Sequence, residues 1–108
     1  MVQTIPINSL LPAQTIETVL AGQVFRLTVV WNTRTQLWHL TVRTREEVEL
    51  LTGVPIVLNY ELLDRFADER LPAGYLVAFD ATQRMTEIGR FDLGGVVKLL
   101  FIPRTMIA

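Results

Sequence analysis

The stretch from Phe25 to Arg43 constrains the fold more than any other part of the chain. Two runs of alternating apolar and polar residues flank a polar turn at residues 32–36. Placing Trp31 opposite Trp38 brings the two apolar faces together, and a shift of one residue would turn both faces over. The shared apolar face holds Phe25, Leu27, Val29, Trp31, Trp38, Leu40 and Val42, and the other face holds Arg26, Thr28, His39, Thr41 and Arg43, with Val30 and Leu37 as apolar exceptions. We therefore predict an antiparallel β-hairpin in this register.

A third strand is predicted at residues 16–20, connected to the hairpin by a tight turn at Ala21-Gly22-Gln23. Whether the turn is centred on Ala-Gly or on Gly-Gln, its short length fixes which side chains share a face. Ile16, Thr18 and Leu20 then fall on the face of Phe25 and Leu27, whereas Glu17 falls on the face of Arg26. The two patterns agree, and together they predict a three-stranded meander.

The rest of the chain continues in short apolar segments separated by turns. Strands are predicted at 5–7, as an edge strand, and at 48–51, 54–58, 75–80 and 96–102, with a weaker prediction at 84–88. In the 75–80 strand, Tyr75, Val77 and Phe79 lie on one face. The sequence of residues 59–66 predicts one or two helical turns, because Asn59 can act as N-cap and the helical spacing of Leu62, Leu63 and Phe66 places them on one side. The 96–102 segment is apolar on both faces apart from Lys98, which is typical of a central or covered strand. These elements predict an all-β fold over 1–108: a small single-domain β-barrel or sandwich of six to eight short strands with at most one short helix.

Composition excludes several classes of protein. The 108 residues carry a net charge of −1, which argues against nucleic-acid binding. There is no cysteine, so disulfides, thiolate catalysis and cysteine-bound zinc are excluded. The first residues lack the pattern of a signal peptide, so we expect synthesis and folding in a cytoplasm. Half of the residues are hydrophobic, yet no apolar run reaches the ~18 residues of a membrane span. The excess apolar surface predicts a buried assembly interface.

Residues that often carry chemistry do not form a catalytic set. His39 is the single histidine, and its sequence neighbours offer neither a nucleophile nor an orienting carboxylate, so it is interpreted as a polar-face strand residue. Glu46, Glu47 and Glu49 lack the loop pattern of a calcium site and are interpreted as a solvated turn. Asp64 and Asp68 lie among Arg65, Glu69 and Arg70, which favours a charged surface patch over a carboxylate pair.

Two further features have a structural and a functional reading. The Gly94-Gly95-Val96-Val97-Lys98 segment lacks the spacing of a phosphate loop and precedes a strand, so a β-bend is favoured. Arg26 and Arg43 fall opposite each other in the predicted register, where like charges repel unless compensated. Glu17 is the nearest compensating residue in the chain, and an acidic side chain of a partner is the alternative.

The chain also contains an ordered set of landmarks. They are Ile5-Pro6, Trp31-Asn32, Arg34, Trp38, Gly53-Val54-Pro55-Ile56-Val57, Leu62-Leu63, Pro72-Ala73-Gly74-Tyr75-Leu76-Val77-Ala78-Phe79-Asp80, Asp92-Leu93-Gly94 and Leu99-Leu100-Phe101-Ile102-Pro103. In this order the chain resembles the baseplate plug proteins of contractile-tailed phages, the family typified by a cyanophage baseplate plug. The Glu-rich 45–51 segment departs from the short Gly- or Asp-containing turn expected there.

The resemblance implies a structural virion protein of the tail baseplate, assembled in the host cytoplasm. Such a protein would form a homo-oligomer, with three- or six-fold symmetry, and pack with hub and tail-tube proteins to plug the distal end of the tube. It implies no catalytic residues, cofactor, metal, nucleic acid, membrane or small-molecule substrate.

The main alternative is a small β-barrel that binds a ligand or an oligonucleotide. It would use Trp31, Trp38 and Tyr75 as an exposed stacking platform, surrounded by Arg34, Arg43 and Arg45. The overall acidity and the pattern that buries both tryptophans argue against it. A small hydrolase, the third possibility, has no nucleophile and base to support it.

Overall fold

A computed structural model describes residues 2–63, 70–80, 82–83 and 87–103, and these form two antiparallel sheets. The strands are β1 (Gln3–Thr4), β2 (Ala13–Leu20), β3 (Gln23–Asn32), β4 (Leu37–Thr44), β5 (Glu49–Pro55), β6 (Gly74–Asp80) and β7 (Val97–Pro103). One sheet has the order β2-β3-β4-β5 and the other has the order β1-β7-β6. The sheets do not close into a barrel, so of the two predicted architectures the sandwich is the one observed. The described residues contain no helix that is long and apolar enough to span a membrane.

The central hairpin has the predicted register. Trp31 lies opposite Trp38, Val29 opposite Leu40, and Leu27 opposite Val42. Trp38 is fully buried, and the two indole rings meet edge to face with centroids 5.6 Å apart, a favourable geometry for aromatic pairs. The apolar exceptions Val30 and Leu37 lie on the exposed side, as their positions in the alternation require.

The β2–β3 turn settles the alternative that the sequence left open. Leu20 pairs with Gln23, so the loop is Ala21-Gly22, and both loop residues have positive φ (51° and 82°). Positive φ at both central positions is typical of the tight turn whose twist matches paired strands. Ile16 lies opposite Leu27 and Glu17 opposite Arg26, which confirms the predicted meander.

A single hydrophobic cluster joins the two sheets. Its largest side chains with almost no exposure come from five of the strands and from the connections between them: Trp38, Phe25, Phe101, Ile5, Leu20, Leu27, Leu40, Ile56, Leu76, Leu93 and Leu99. β7 is the central strand of its sheet, as its apolar sequence indicated. Ile5, which was expected in an edge strand, follows the shorter β1 and donates its amide to the Leu99 carbonyl at 2.8 Å.

Two predictions for the middle of the chain are wrong. In place of the two predicted strands 48–51 and 54–58 there is one strand, β5 (Glu49–Pro55), which continues through Gly53 with φ of 63° and a register shift against β4. Residues 56–58 lie outside any strand, and Leu58 forms an isolated bridge. The predicted helix does not form over residues 59–63. There Asn59 has φ of 64°, and Leu58 and Glu61 form isolated bridges to β6. Pairing with β6 outweighs the weak helical tendency of so short a segment.

Part of the predicted helix, residues 64–66, lies outside the described residues. So do residues 84–86 of the predicted weak strand, and Glu87 and Ile88 after them are not in a strand.

Trp38→Ala should lower the free energy of unfolding by about 3–5 kcal/mol, because it empties the largest buried side chain of the core. Leu37→Ala, one residue away but 37% exposed, is the control and should cost less than about 1 kcal/mol. Urea unfolding followed by circular dichroism gives both values. Similar losses for the two variants would mean that the faces of the hairpin are assigned incorrectly.

Gly94→Ala should destabilise the protein more than Gly53→Ala. Both glycines have positive φ, which costs an alanine about 1–2 kcal/mol. A Cβ at Gly94 would in addition overlap the carbonyl of Ile7, whereas a Cβ at Gly53 meets nothing within 4 Å. We expect the Gly94 variant to lose at least about 1 kcal/mol more, as overpacking does. Equal midpoints in urea would contradict this close approach.

Candidate interaction surfaces

The outer face of the four-stranded sheet carries a network of opposite charges. Arg26 and Arg43 lie opposite each other, as predicted, and both are compensated within the chain. The Arg26 Nε lies 3.4 Å from the Glu17 carboxylate, and its Nη1 contacts Glu47. Arg43 donates to Glu49 at 3.0 Å and to the Thr28 hydroxyl at 3.1 Å. Of the two readings of this arginine pair, the intramolecular one is confirmed for Glu17, and two further glutamates take part.

Two glutamates of the predicted solvated turn, Glu47 and Glu49, therefore pair with arginines, and both remain exposed. Two hydrogen bonds, from the Thr52 hydroxyl at 2.8 Å and from Arg43, together with the nearby guanidinium charge, lower the pKa of Glu49 below its ordinary value of 4.5. Within the described part of the chain, no three histidine, aspartate or glutamate side chains lie together as metal ligands do. Asp64 and Asp68 lie outside that part.

His39 lies at the rim of this same face. Its Nδ1 is 3.1 Å from the Gly53 carbonyl and its Nε2 is 3.4 Å from the Thr35 hydroxyl. The contact with Gly53 links β4 to the bulge in β5, so the imidazole ring stabilises the point at which β5 shifts register. The Gly94-Gly95 segment is a bend, as predicted, in which the Gly94 amide donates to the Val97 carbonyl at 2.8 Å.

The aromatic residues of the proposed stacking platform are not brought together. Trp38 lies in the core and Trp31 is half-buried against it, whereas Tyr75 belongs to the other sheet. Arg43 is held by Glu49 and Thr28, and Arg34 and Arg45 are exposed in different turns. The structure therefore contains no surface on which these three rings could stack bases in series.

On the outer face of the three-stranded sheet, β6 and β7 present mostly apolar side chains that are partly exposed. Tyr75 faces Ile102, Val77 faces Leu100, and Phe79 faces Lys98. Tyr75 and Phe79 are 38% and 37% exposed, and the aliphatic residues between them are half-buried. Lys98 is the single charged side chain among these six. We call them the apolar face. The sequence pattern of the 96–102 segment, apolar on both sides, was interpreted as that of a central or covered strand and did not indicate an exposed face.

Arg90 was not singled out by the sequence, although it fastens one end of the sandwich. Its guanidinium donates to the carbonyls of Ser9 and Leu10, both at 3.1 Å, and lies 5.7 Å from the Trp38 ring centroid. The Trp38 indole N–H donates to the Gly89 carbonyl at 3.1 Å. The residues joined by these three hydrogen bonds are 81, 80 and 51 positions apart in sequence, and no local pattern indicates contacts at such separations.

A small β-sandwich whose charges neutralise one another on one face, and whose other face is apolar and open, defines a structural interaction module. A comparison with known families identifies which one. The family described as cyanophage baseplate Pam3 plug gp18 matches residues 2–104, nearly the whole chain, and the chain belongs to this family. No curated protein matches the sequence. Membership in this family supports a structural role in the tail baseplate of a phage virion.

Glu49→Gln should reduce stability in a pH-dependent way. A carboxyl whose pKa is lowered by folding stabilises the folded state above its unfolded pKa, and this contribution is lost as pH falls through the folded pKa. The difference in unfolding free energy between wild type and Glu49→Gln should be constant above about pH 5 and shrink below pH 4.5. Urea titrations at several pH values measure it.

The matched control is Glu46→Gln, because Glu46 forms no ion pair among the described residues. At pH 7 its unfolding free energy should differ from that of wild type by less than the Glu49→Gln difference, since no ion pair is lost. A Glu49→Gln effect that is equally large at pH 3 and pH 7 would contradict the role assigned to this carboxylate.

Proposed function

We propose that this protein is a structural component of a contractile-tail baseplate that packs with hub and tail-tube proteins and plugs the distal end of the tube. The observation that carries the proposal is the match to the plug family over residues 2–104. A non-enzymatic role fits the same match, and so does a place in the virion tail after assembly in the host cytoplasm. Association of several copies around the tube axis is part of the proposal.

The apolar face supplies the surface that such packing needs. Soluble proteins that act alone rarely leave a continuous apolar sheet face open to water. Tyr75 and Phe79 at its two ends resemble the aromatic anchors that dominate protein interfaces, because each combines a large contact area with little side-chain entropy to lose. Both lie on β6, and the backbone of that strand is held between β7 and the 58–62 segment. The face is therefore rigid before any partner binds, which lowers the cost of association.

The ion pairs on the outer face of the four-stranded sheet support the same function. Arg26 and Arg43, which lie on the strands of the central hairpin, are matched by glutamates of this chain and are not left to attract phosphates or acidic ligands. With Arg43 engaged and Trp38 in the core, the oligonucleotide-binding alternative loses two of the groups it requires. A structural protein that binds its partners through the apolar face accounts for both the paired charges and the exposed aromatic residues.

Phe79→Glu should weaken binding to hub and tube proteins by at least ~30-fold, because it places a charge where an aromatic anchor would be desolvated. Val30→Glu is the matched control. Val30 is also an exposed apolar strand residue, at 41%, but lies on the four-stranded sheet. Hub and tail-tube proteins of the same phage are the ligands, and affinity is measured by biolayer interferometry.

The wild type and Val30→Glu should bind alike, and Phe79→Glu should bind far more weakly while remaining folded by circular dichroism. A wild-type protein that binds none of these partners would contradict the proposed function. A cryo-EM map of the virion that placed this chain away from the end of the tail tube would do so as well.

A further inference from the structure

β2 is a long, regular strand whose outer edge is open. It pairs on one side with β3 over all eight residues, from Ala13 opposite Val30 to Leu20 opposite Gln23. Pro12 accepts the Trp31 amide at 2.8 Å, and the two-residue turn closes at Leu20. Because backbone hydrogen bonding alternates along an antiparallel strand, the even-numbered residues bond to β3. The N–H and C=O groups of Ala13, Thr15, Glu17 and Val19 therefore point away from the sheet, and no described residue bonds to them.

The other sheet edges within the described residues are protected. On β6, the Asn59 and Leu62 amides donate to the Ala78 and Leu76 carbonyls, both at 2.9 Å. The Glu61 carboxylate accepts the Leu76 amide at 2.9 Å, which occupies a further group of that edge. β5 is interrupted by its register shift and ends at Pro55, and β1 has two residues. β2 has none of these devices: no proline, no glycine, no lysine and no bulge.

We propose that β2 pairs antiparallel with β2 of a second copy across a two-fold axis, which joins the two four-stranded sheets into one of eight strands. The outward-facing groups select the register. When Thr15 lies opposite Glu17 of the second copy, Ala13 lies opposite its Val19, and all four outward residues donate and accept across the axis. A register with Glu17 opposite Glu17 would set like charges against each other and leave an outward residue unpaired.

The side chains agree with this register. Ile16 lies on the axis, on the inner side of the sheet, where it is half-buried against the core of its own subunit. Its counterpart would cover the part that remains exposed, so the two cores would become continuous. On the outer side, Val19 is 53% exposed and would meet Ala13, a small apolar residue. Glu17 keeps its ion pair with Arg26 and meets the uncharged Thr15.

This pair concerns the free protein and does not rest on the proposed function. The same residue patch meets itself, so the contact closes at two copies and uses neither residue of the Tyr75–Phe79 anchor pair. Its failure would leave the baseplate role untouched, and failure of the baseplate role would leave the pair untouched.

Thr15→Pro tests the edge, with Thr15→Val as its control. Both substitutions remove the Thr15–Thr28 hydroxyl bond, but the proline alone removes the outward amide, and this occurs in both copies. In sedimentation velocity experiments, wild type and Thr15→Val should behave as dimers at micromolar concentration and Thr15→Pro as a monomer. A monomeric wild type, or a dimeric Thr15→Pro, would overturn the proposal. Circular dichroism establishes that the proline variant is folded.

Ile16→Cys tests the register and does not depend on whether the proline variant folds. The chain has no cysteine, so the new thiol can form a disulfide with no group other than its equivalent in a second copy. Directly opposite residues in a non-hydrogen-bonded pair have Cα atoms about 4.5 Å apart, within disulfide range. Mild oxidation should crosslink Ile16→Cys rapidly and leave Val30→Cys, the control, uncrosslinked. Equal crosslinking of the two variants would overturn the register.

Discussion

The contact between Trp31 and Trp38 is the interaction on which the rest of the structure depends. It fixes the register of β3 on β4, and that register decides which side chains enter the core along both strands. Trp38 also connects distant parts of the chain, since its indole N–H bonds to Gly89 and Arg90 lies against its ring. Arg90 in turn donates to the carbonyls of Ser9 and Leu10, in the segment before β2. One buried aromatic thus fixes a hairpin, closes one end of the sandwich and positions the strand whose edge is open.

Most of the four-stranded sheet was predictable, because hairpins are specified by neighbouring residues. The alternation around Trp31 and Trp38 admits one register, and the Ala21-Gly22 turn extends it to β2. The 59–63 segment was not predictable, since Leu62 and Leu63 at helical spacing give a local signal that pairing with β6 overrides. Gly53 was taken as a break between strands, although a glycine with positive φ can equally form a bulge inside one. The apolar face was foreseen only as excess hydrophobicity, because no sequence pattern states which strands a sheet will leave uncovered.

The outer faces of the two sheets differ in their chemistry. On the outer face of the four-stranded sheet, charged groups pair with one another beside the exposed Val19, Val30 and Leu37. The three-stranded sheet carries the apolar face, and its outer surface becomes more stable when water is removed from it. The segregation is consistent with a net charge of −1 and a half-hydrophobic composition in one small chain. A mean hydropathy over the whole surface does not reveal this segregation, because the charged face and the apolar face offset each other in the average.

The Glu61 carboxylate that takes the Leu76 amide has a consequence for how many molecules can join. A chain with two adhesive sheet edges can add copies without end, which is the geometry of fibrils. A chain with one such edge can add only one neighbour through it. Together with the Asn59 and Leu62 amides, this carboxylate occupies groups of the β6 edge, so association through sheet edges is confined to β2. Loss of that carboxylate would free the Leu76 amide, while the bonds from the Asn59 and Leu62 amides would still keep β6 from becoming a second edge for growth.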